Sequence, residues 1–297
     1  MKRFQRLVML LTVCCLAAST AAGAQAGSQS ASRTQATLDD IQATMGSIPG
    51  FFKMFPSDGL PGAWVAFKSF QLGNTELAGK YKELIGLAVA SQIPCHYCVY
   101  FHTEAAKLGG ASDVEISEAV AEASLTRFWS TVLNGGNQDT GEFEAELDRA
   151  LQHMASAPAQ LPLDSKVSTA AEAYKEIEMV FGSVPTFFKG VPESLLPGAW
   201  MEMKQIEMNP GTAIPNKYKS LISLAVASQI PCAYCVYADR EFAELEGATE
   251  GEIEDAIGMA AMTRHWSTFL NGMAVDEKTF KKEVDAVVKH FTAKAEK

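Results

Sequence analysis

Residues 87–100 read LAVASQIPCHYCVY, and residues 224–237 read LAVASQIPCAYCVY. The two stretches differ at a single position, where His96 of the first is replaced by Ala233 in the second. Each stretch contains a Cys-x-x-Cys motif, and the two motifs begin 137 residues apart (232 − 95 = 137). The chain therefore contains two copies of one sequence unit, each built around a pair of cysteines.

The repeat extends well beyond these stretches. Pro-Gly-Ala-Trp occurs at 61–64 and at 197–200, and Arg-x-Trp-Ser-Thr occurs at 127–131 and at 264–268. A segment with two prolines separates the copies, which suits a short exposed linker. We therefore expect a first domain at 35–154, a linker at 155–167 and a second domain at 168–292.

The local sequence patterns are helical in both copies. Ser112 and Glu115 form a Ser-x-x-Glu capping box before an apolar run, and Thr249 and Glu252 repeat that arrangement. No segment shows the sustained apolar–polar alternation of a half-buried strand. The sequence therefore predicts an all-α fold made of two tandem homologous helical domains.

The first 26 residues have the composition of a signal peptide. Three basic residues precede an almost wholly apolar run at 7–18, and an Ala-x-Ala cleavage pattern ends at Ala26. The run is shorter than the roughly 20 residues that a membrane-spanning helix needs, so a retained anchor is the weaker interpretation. We expect cleavage after Ala26 and a periplasmic or secreted protein with no membrane association.

The mature chain would be strongly acidic. The full sequence has 25 Lys and Arg residues and 35 Asp and Glu residues. Loss of three basic residues with the signal peptide changes the net charge from −10 to 22 − 35 = −13. Such a chain lacks the basic surface on which nucleic acid binding depends. The four cysteines that remain all lie in the two Cys-x-x-Cys motifs.

The first Cys-x-x-Cys motif has the spacing of a reactive dithiol. Pro94 is expected in the first turn of a helix, which places Cys95 and Cys98 on one side of the helix start, within disulfide range. Free N–H groups and the helix dipole favour a thiolate there. His102 follows Cys98 by one turn. Glu83 lies about as far before the helix reversal as His102 lies after it, so antiparallel helices would bring their side chains together.

These residues form the pattern Glu-x11-Cys-x2-Cys-x3-His, which resembles the alkylhydroperoxidase D-like group of the carboxymuconolactone decarboxylase superfamily. The resemblance covers both copies and so nearly the whole mature chain. It implies helical domains that assemble into trimers or hexamers, and a dithiol that reduces peroxides or exchanges disulfides with a redox partner. It also implies that Cys98 is the thiol activated by His102, with Cys95 as its disulfide partner and Glu83 with His102 as the proton relay.

The second copy keeps its two cysteines but departs from the pattern elsewhere. It has Ser220 and Asp239 at the positions of the glutamate and the histidine. These side chains cannot reproduce a carboxylate–imidazole relay, and a hydrogen bond between them is the expected replacement. We therefore expect Cys232 and Cys235 to form a secondary dithiol that is slower than the first or inert.

These features favour an exported thiol oxidoreductase that reduces hydroperoxides, a peroxidase activity of the peroxiredoxin type. No glycine pattern for nucleotide binding is present, so another protein or a small thiol is expected to supply electrons, without a cofactor or a metal. Two alternatives stay open. The first is a non-enzymatic scaffold or binding protein with structural disulfides. The second, less well supported, is a decarboxylase-type lyase, in which the dithiol would have no role.

Overall fold

The structure, a computed structural model, describes residues 30–156 and 161–296, so the expected signal peptide at 1–26 lies outside the described residues. All regular secondary structure in these two ranges is helical, and the all-α prediction is confirmed. A π-helical turn at Phe67–Gln71 follows the third helix. The helices are α1 (30–45), α2 (Gly50–Met54), α3 (Leu60–Ala66), α4 (Gly79–Gln92), α5 (His96–Leu108), α6 (Asp113–Gly136), α7 (Thr140–Ser156), α8 (Ala170–Phe181), α9 (Thr186–Lys189), α10 (Leu196–Gln205), α11 (Asn216–Gln229), α12 (Ala233–Leu245), α13 (Glu250–Gly272) and α14 (Glu277–Ala295).

The two copies fold into the same order of helices. α4 and α11 begin and end 137 residues apart, and so do α5 and α12. The long helix α6 corresponds to α13, which begins 137 residues later. The tandem duplication predicted from the sequence is therefore confirmed, while the exact domain boundaries stay a prediction.

The described chain divides into two compact units, a smaller one formed by 30–69 with 282–296 and a larger one formed by 70–281. In the smaller unit, buried Trp64 donates its indole N–H to Asp40 at 2.7 Å. The ring of Phe52 meets the Trp64 ring edge to face, with centroids 5.5 Å apart. The tryptophan of the first Pro-Gly-Ala-Trp motif is therefore a core residue of this unit.

The larger unit combines helices of both copies in one core. α4 and α11 are each buried over nine consecutive residues, and Leu84 of α4 shares a hydrophobic cluster with Leu221 of α11. A helix that is covered on all sides needs apolar residues on every face, which explains the apolar runs of the repeated stretches. Within the described ranges, no helix is both long and apolar enough to cross a membrane.

Both predicted capping boxes are present. The Ser112 side chain accepts the backbone N–H of Glu115, and the Glu115 carboxylate accepts the backbone N–H of Ser112 at 2.8 Å. Thr249 and Glu252 repeat these bonds at the start of α13. A cap of this kind is typically worth about 1 kcal/mol of stability, and here it fixes where each long helix begins.

Candidate dithiol site

Glu83 of α4 and His102 of α5 lie side by side, as their equal distance from the helix reversal predicts. The Nδ1 atom of His102 is 2.7 Å from Oε2 of Glu83, and both side chains are buried. Gln71 donates its side-chain N–H to the other Glu83 oxygen at 3.3 Å. The carboxylate therefore fixes the orientation of the imidazole, and Gln71 is a site residue that sequence analysis did not identify.

The two cysteines of the first copy lie at the start of α5, although not as expected. The helix begins at His96 with Cys95 as its N-cap, so Pro94 lies before the helix rather than in its first turn. The Cys95 sulfur accepts the backbone N–H of Cys98 at 3.4 Å, in the role that an oxygen plays in most caps. Cys95 and Cys98 are free and buried, with their sulfurs 3.0 Å apart.

Hydrogen bonds make Cys95 the more acidic of the two thiols. The hydrogen bond that the two sulfurs share lowers the pKa of Cys95 to about 5, even though burial acts in the opposite direction. Further donors to Cys95 are Ser267 and the side-chain N–H of Asn271, which lies 3.3 Å from the sulfur. The pKa of Cys98 is raised, because its proton is held between the two sulfurs and the group is buried. Both shifts favour Cys95 over Cys98 as the thiolate.

This order of the two thiols is the reverse of the one that the family resemblance implied, in which His102 activates Cys98. The two ring nitrogens of His102 bond to Glu83 and to Thr263, whose hydroxyl oxygen is 3.2 Å from Nε2. Among the described residues, no hydrogen bond joins His102 to either cysteine sulfur. The geometry thus connects the imidazole to Thr263 rather than directly to a thiol.

A helix of the second copy completes the first-copy site. Thr263, Ser267 and Asn271 follow one another at four-residue intervals, so they lie along one face of α13. All three bond to first-copy residues, Thr263 to His102 and both Ser267 and Asn271 to Cys95. The signal for this contribution was present in the sequence, since the same Thr-x3-Ser-x3-Asn spacing occurs at 126, 130 and 134.

The imidazole of His102 occupies the space that a side chain at position 86 would fill. A methyl group on Gly86 of α4 would meet the His102 ring well inside van der Waals contact. The second copy has Ser223 at the corresponding position and the smaller Asp239 in place of the histidine. In the first copy, the size of the histidine therefore requires glycine at position 86.

We expect Gly86→Ala to destabilise the protein and to displace His102. An alanine in a helix interior is ordinarily favoured over glycine by roughly 0.5–1 kcal/mol. Overpacking a filled site costs about 1–3 kcal/mol, so the net effect on the free energy of unfolding should be destabilising. Thermal unfolding should show a lower midpoint, and thiol-dependent activity should fall. Gly79→Ala is the matched control, since a methyl group there meets nothing within 4 Å. Equal stability of Gly86→Ala and the wild type would contradict this packing.

The second-copy site differs from the first in its bonds as well as its residues. Cys232 and Cys235 form a disulfide. The expected hydrogen bond between Ser220 and Asp239 is absent from the described residues, and the Oδ2 atom of Asp239 is buried without a partner. The expectation was wrong because a serine and an aspartate are together too short to replace a glutamate–histidine contact. Within the described ranges, Asn134, which corresponds to Asn271, bonds to Ser130 of its own helix and to no cysteine.

Buried carboxyl groups surround the second-copy site instead. Glu207 stands where the first copy has Gln71, and Glu122 stands where it has Met259. Burial raises the pKa of Asp239 and of Glu122 well above the usual range, and it raises the pKa of Glu207 to about 7. In the described residues, however, no group of three or more His, Cys, Asp or Glu side chains is arranged to hold a metal ion.

These raised pKa values predict that stability falls as the pH rises. Between about 4.5 and 7, Glu207 is ionised in the unfolded chain but still protonated in the folded one, so each step up in pH favours unfolding. Glu207→Gln should therefore match the wild type at pH 4 and exceed it by roughly 1–3 kcal/mol in unfolding free energy at pH 8. Denaturant unfolding at both pH values measures this. The reciprocal control Gln71→Glu adds a carboxyl group beside Glu83 and should lower stability at pH 8. If Glu207→Gln changes the unfolding free energy equally at both pH values, the prediction is contradicted.

Comparison with known proteins agrees with the duplication and with the helical fold. The model of the carboxymuconolactone decarboxylase family matches the chain twice, at residues 59–135 and 195–278, which together cover more than half of its length. No curated protein and no solved structure matches the chain. The two matched regions contain the two dithiols and the helices that surround them. The chain therefore belongs to the carboxymuconolactone decarboxylase family and is a tandem member with two copies of the family's domain.

Proposed function

We propose that the protein is an exported thiol oxidoreductase that reduces hydroperoxides through the Cys95–Cys98 dithiol. The observation that carries the proposal is the set of donors around Cys95, which stabilises a thiolate at about pH 5 and above. Cys98 lies 3.0 Å away and is ready to close a disulfide. A thiolate beside a resolving thiol is the arrangement that peroxide reduction by cysteine requires. Membership of a family that includes peroxidase-like enzymes supports the proposal.

In the proposed cycle, the Cys95 thiolate attacks one oxygen of the hydroperoxide ROOH, and the O–O bond breaks. The alkoxide leaves and takes up a proton to become the alcohol ROH, while Cys95 becomes a sulfenic acid. The Cys98 thiol then attacks the Cys95 sulfur, and water leaves. Two thiols and one hydroperoxide thus give one disulfide, one alcohol and one water. An external dithiol returns two electrons and two protons to restore the site.

Glu83, His102 and Thr263 form the proposed proton relay. A carboxylate on Nδ1 raises the basicity of Nε2 and fixes the tautomer, so His102 can deliver a proton towards the reacting oxygen and recover it later. Thr263 lies on the far side of the ring from Glu83 and offers a hydroxyl through which that proton can pass. The second copy has lost the acid–base pair, and we propose that its disulfide is structural.

The same proposal extends to location and partners. The N-terminal sequence pattern supports export and cleavage, and the absence of a nucleotide-binding glycine pattern supports a protein or small-thiol reductant. Assembly into homo-oligomers is proposed from the family resemblance. The competing scaffold interpretation is favoured by one observation, the Cys232–Cys235 disulfide, which is what a purely structural dithiol would show.

The experiment that tests the proposed function is peroxide consumption by the purified protein with dithiothreitol as reductant. We expect consumption to depend on both the protein and the thiol, and to yield one alcohol per peroxide. Thiol titration should show two cysteines per chain that oxidise with peroxide and recover with dithiothreitol. If the protein consumes no hydroperoxide above the rate with dithiothreitol alone, the scaffold interpretation replaces the proposal.

A further inference from the structure

A cavity of about 60 Å³ lies in the larger unit beside the second-copy site, with Cys235 in its wall. Its walls are mainly apolar, and they come from both copies. The aromatic residues are Trp129, Phe143, Phe181, Phe187 and Phe242. Only a few polar side chains face this space, among them Asp239 and Glu207. Such a combination of apolar walls with few polar groups is typical of small-molecule sites.

Two buried polar atoms in the wall have no hydrogen-bond partner within the described residues. One is the indole N–H of Trp129, a donor, and the other is Oδ2 of Asp239. Both residues are more than nine-tenths buried. The indoles of Trp64 and Trp200, by contrast, donate to Asp40 and Glu176, each at 2.7 Å. Because buried polar groups are almost always paired, these two atoms indicate a missing ligand group.

The chemistry of the missing group follows from these atoms. It must accept a hydrogen bond from Trp129, which an ammonium group cannot do. An anion is disfavoured, because the described residues that line the cavity include two carboxyl groups, Asp239 and Glu207, and no basic side chain. Burial raises the pKa of Asp239 well above its usual range and so favours the neutral carboxyl group, which can both donate and accept. An uncharged hydroxyl group has the same double capacity. Water would satisfy the two atoms, but it would leave the aromatic walls wetted.

The size of the cavity limits the rest of the ligand. An apolar cavity of about 150 Å³ holds a benzene ring, whereas one water needs only about 10–15 Å³. The cavity of about 60 Å³ lies between these limits and suits a chain of a few carbon atoms. We propose that it is a binding site for a short aliphatic alcohol, whose hydroxyl group supplies the hydrogen-bond partners that Trp129 and Asp239 lack. The inference does not depend on the proposed peroxidase activity, since it concerns the other copy.

The test is a titration of the ¹⁵N-labelled intact chain with 1-butanol, followed through the tryptophan indole N–H signals. The Trp129 signal, assigned with Trp129→Phe, should shift and saturate in the millimolar range that so small a ligand allows. The signals of Trp64 and Trp200 should not move, because their N–H groups are already engaged. A Trp129 signal that never saturates, or that moves together with the other two, would overturn the proposal.

Variants and related ligands separate this site from nonspecific binding. Asp239→Asn keeps a donor and an acceptor and should retain the affinity within a few-fold, whereas Asp239→Leu should weaken it at least tenfold. Ala238→Leu fills the cavity without removing either polar atom and should also abolish binding. n-Butylamine and butyrate should each bind at least tenfold more weakly than 1-butanol. Tighter binding of the amine or the acid, or unchanged binding to Ala238→Leu, would refute the alcohol site.

Discussion

Replacing Cys95 or Cys98 with serine should abolish thiol-dependent peroxide reduction, whereas Cys235→Ser should leave most of it intact. The reason is the asymmetry between the copies, because the first dithiol has donors around its thiolate and a Glu83–His102 pair, and the second has neither. Loss of a catalytic nucleophile typically removes several orders of magnitude of rate, so we expect a fall of at least about a thousandfold. Steady-state peroxide consumption with dithiothreitol measures it.

The paired design of the chain supplies the controls for this comparison. Cys98→Ser and Cys235→Ser change equivalent positions in two nearly identical stretches, so differences in folding should largely cancel. Circular dichroism and thermal unfolding of both variants check that the helical fold is kept. Equal losses of activity from the two substitutions would show that both cysteine pairs contribute equally to peroxide reduction.

The proton relay should have the second-largest effect. We expect His102→Ala to slow peroxide reduction by roughly 10²–10³, in the range of general acid–base catalysis. Glu83→Gln keeps the imidazole but loses its orienting charge, and should cost roughly ten- to a hundredfold. Neither variant should move the pH at which the Cys95 thiolate forms, because that thiolate is stabilised by other groups.

Iodoacetamide alkylation of Cys95 as a function of pH tests this division of roles. The midpoint should lie near pH 5 in the wild type and stay there in His102→Ala and Glu83→Gln. It should rise in Asn271→Ala, which removes a donor to the sulfur, and should not change in the matched variant Asn134→Ala. A midpoint that rises in His102→Ala would mean that the imidazole acts directly on the thiol after all.

Sequence reasoning predicted those parts of the fold and site that depend on local pattern. The capping boxes at Ser112 and Thr249 follow from side chains only three residues from their partners. The contact between Glu83 and His102 also follows from counting, because both lie equally far from one helix reversal. In these cases the feature is set within one helix or one helical hairpin, and the sequence contained enough information to place it.

Some of the parts that sequence reasoning missed depend on packing between the copies. The lowered pKa of Cys95 depends first on Cys98 and then in part on Ser267 and Asn271, which lie more than 160 residues away from Cys95 along the chain. Their periodic spacing on α13 was visible, but nothing in it indicated which site they would face. Cys95 is the N-cap of α5 rather than a residue within the helix, because its sulfur accepts the backbone N–H of Cys98. Pro94 had instead suggested that the helix begins before Cys95.

The central claim, that the first dithiol alone reduces peroxide, is tested most directly by mapping disulfides during a single turnover. The fully reduced protein would be mixed with one equivalent of hydroperoxide, alkylated at successive times and analysed by peptide mass spectrometry. The account predicts that the Cys95–Cys98 disulfide forms in step with the alcohol, one for one, while Cys232 and Cys235 stay reduced over the same period. Alcohol formation without the Cys95–Cys98 disulfide, or oxidation of both pairs at the same rate, would contradict it.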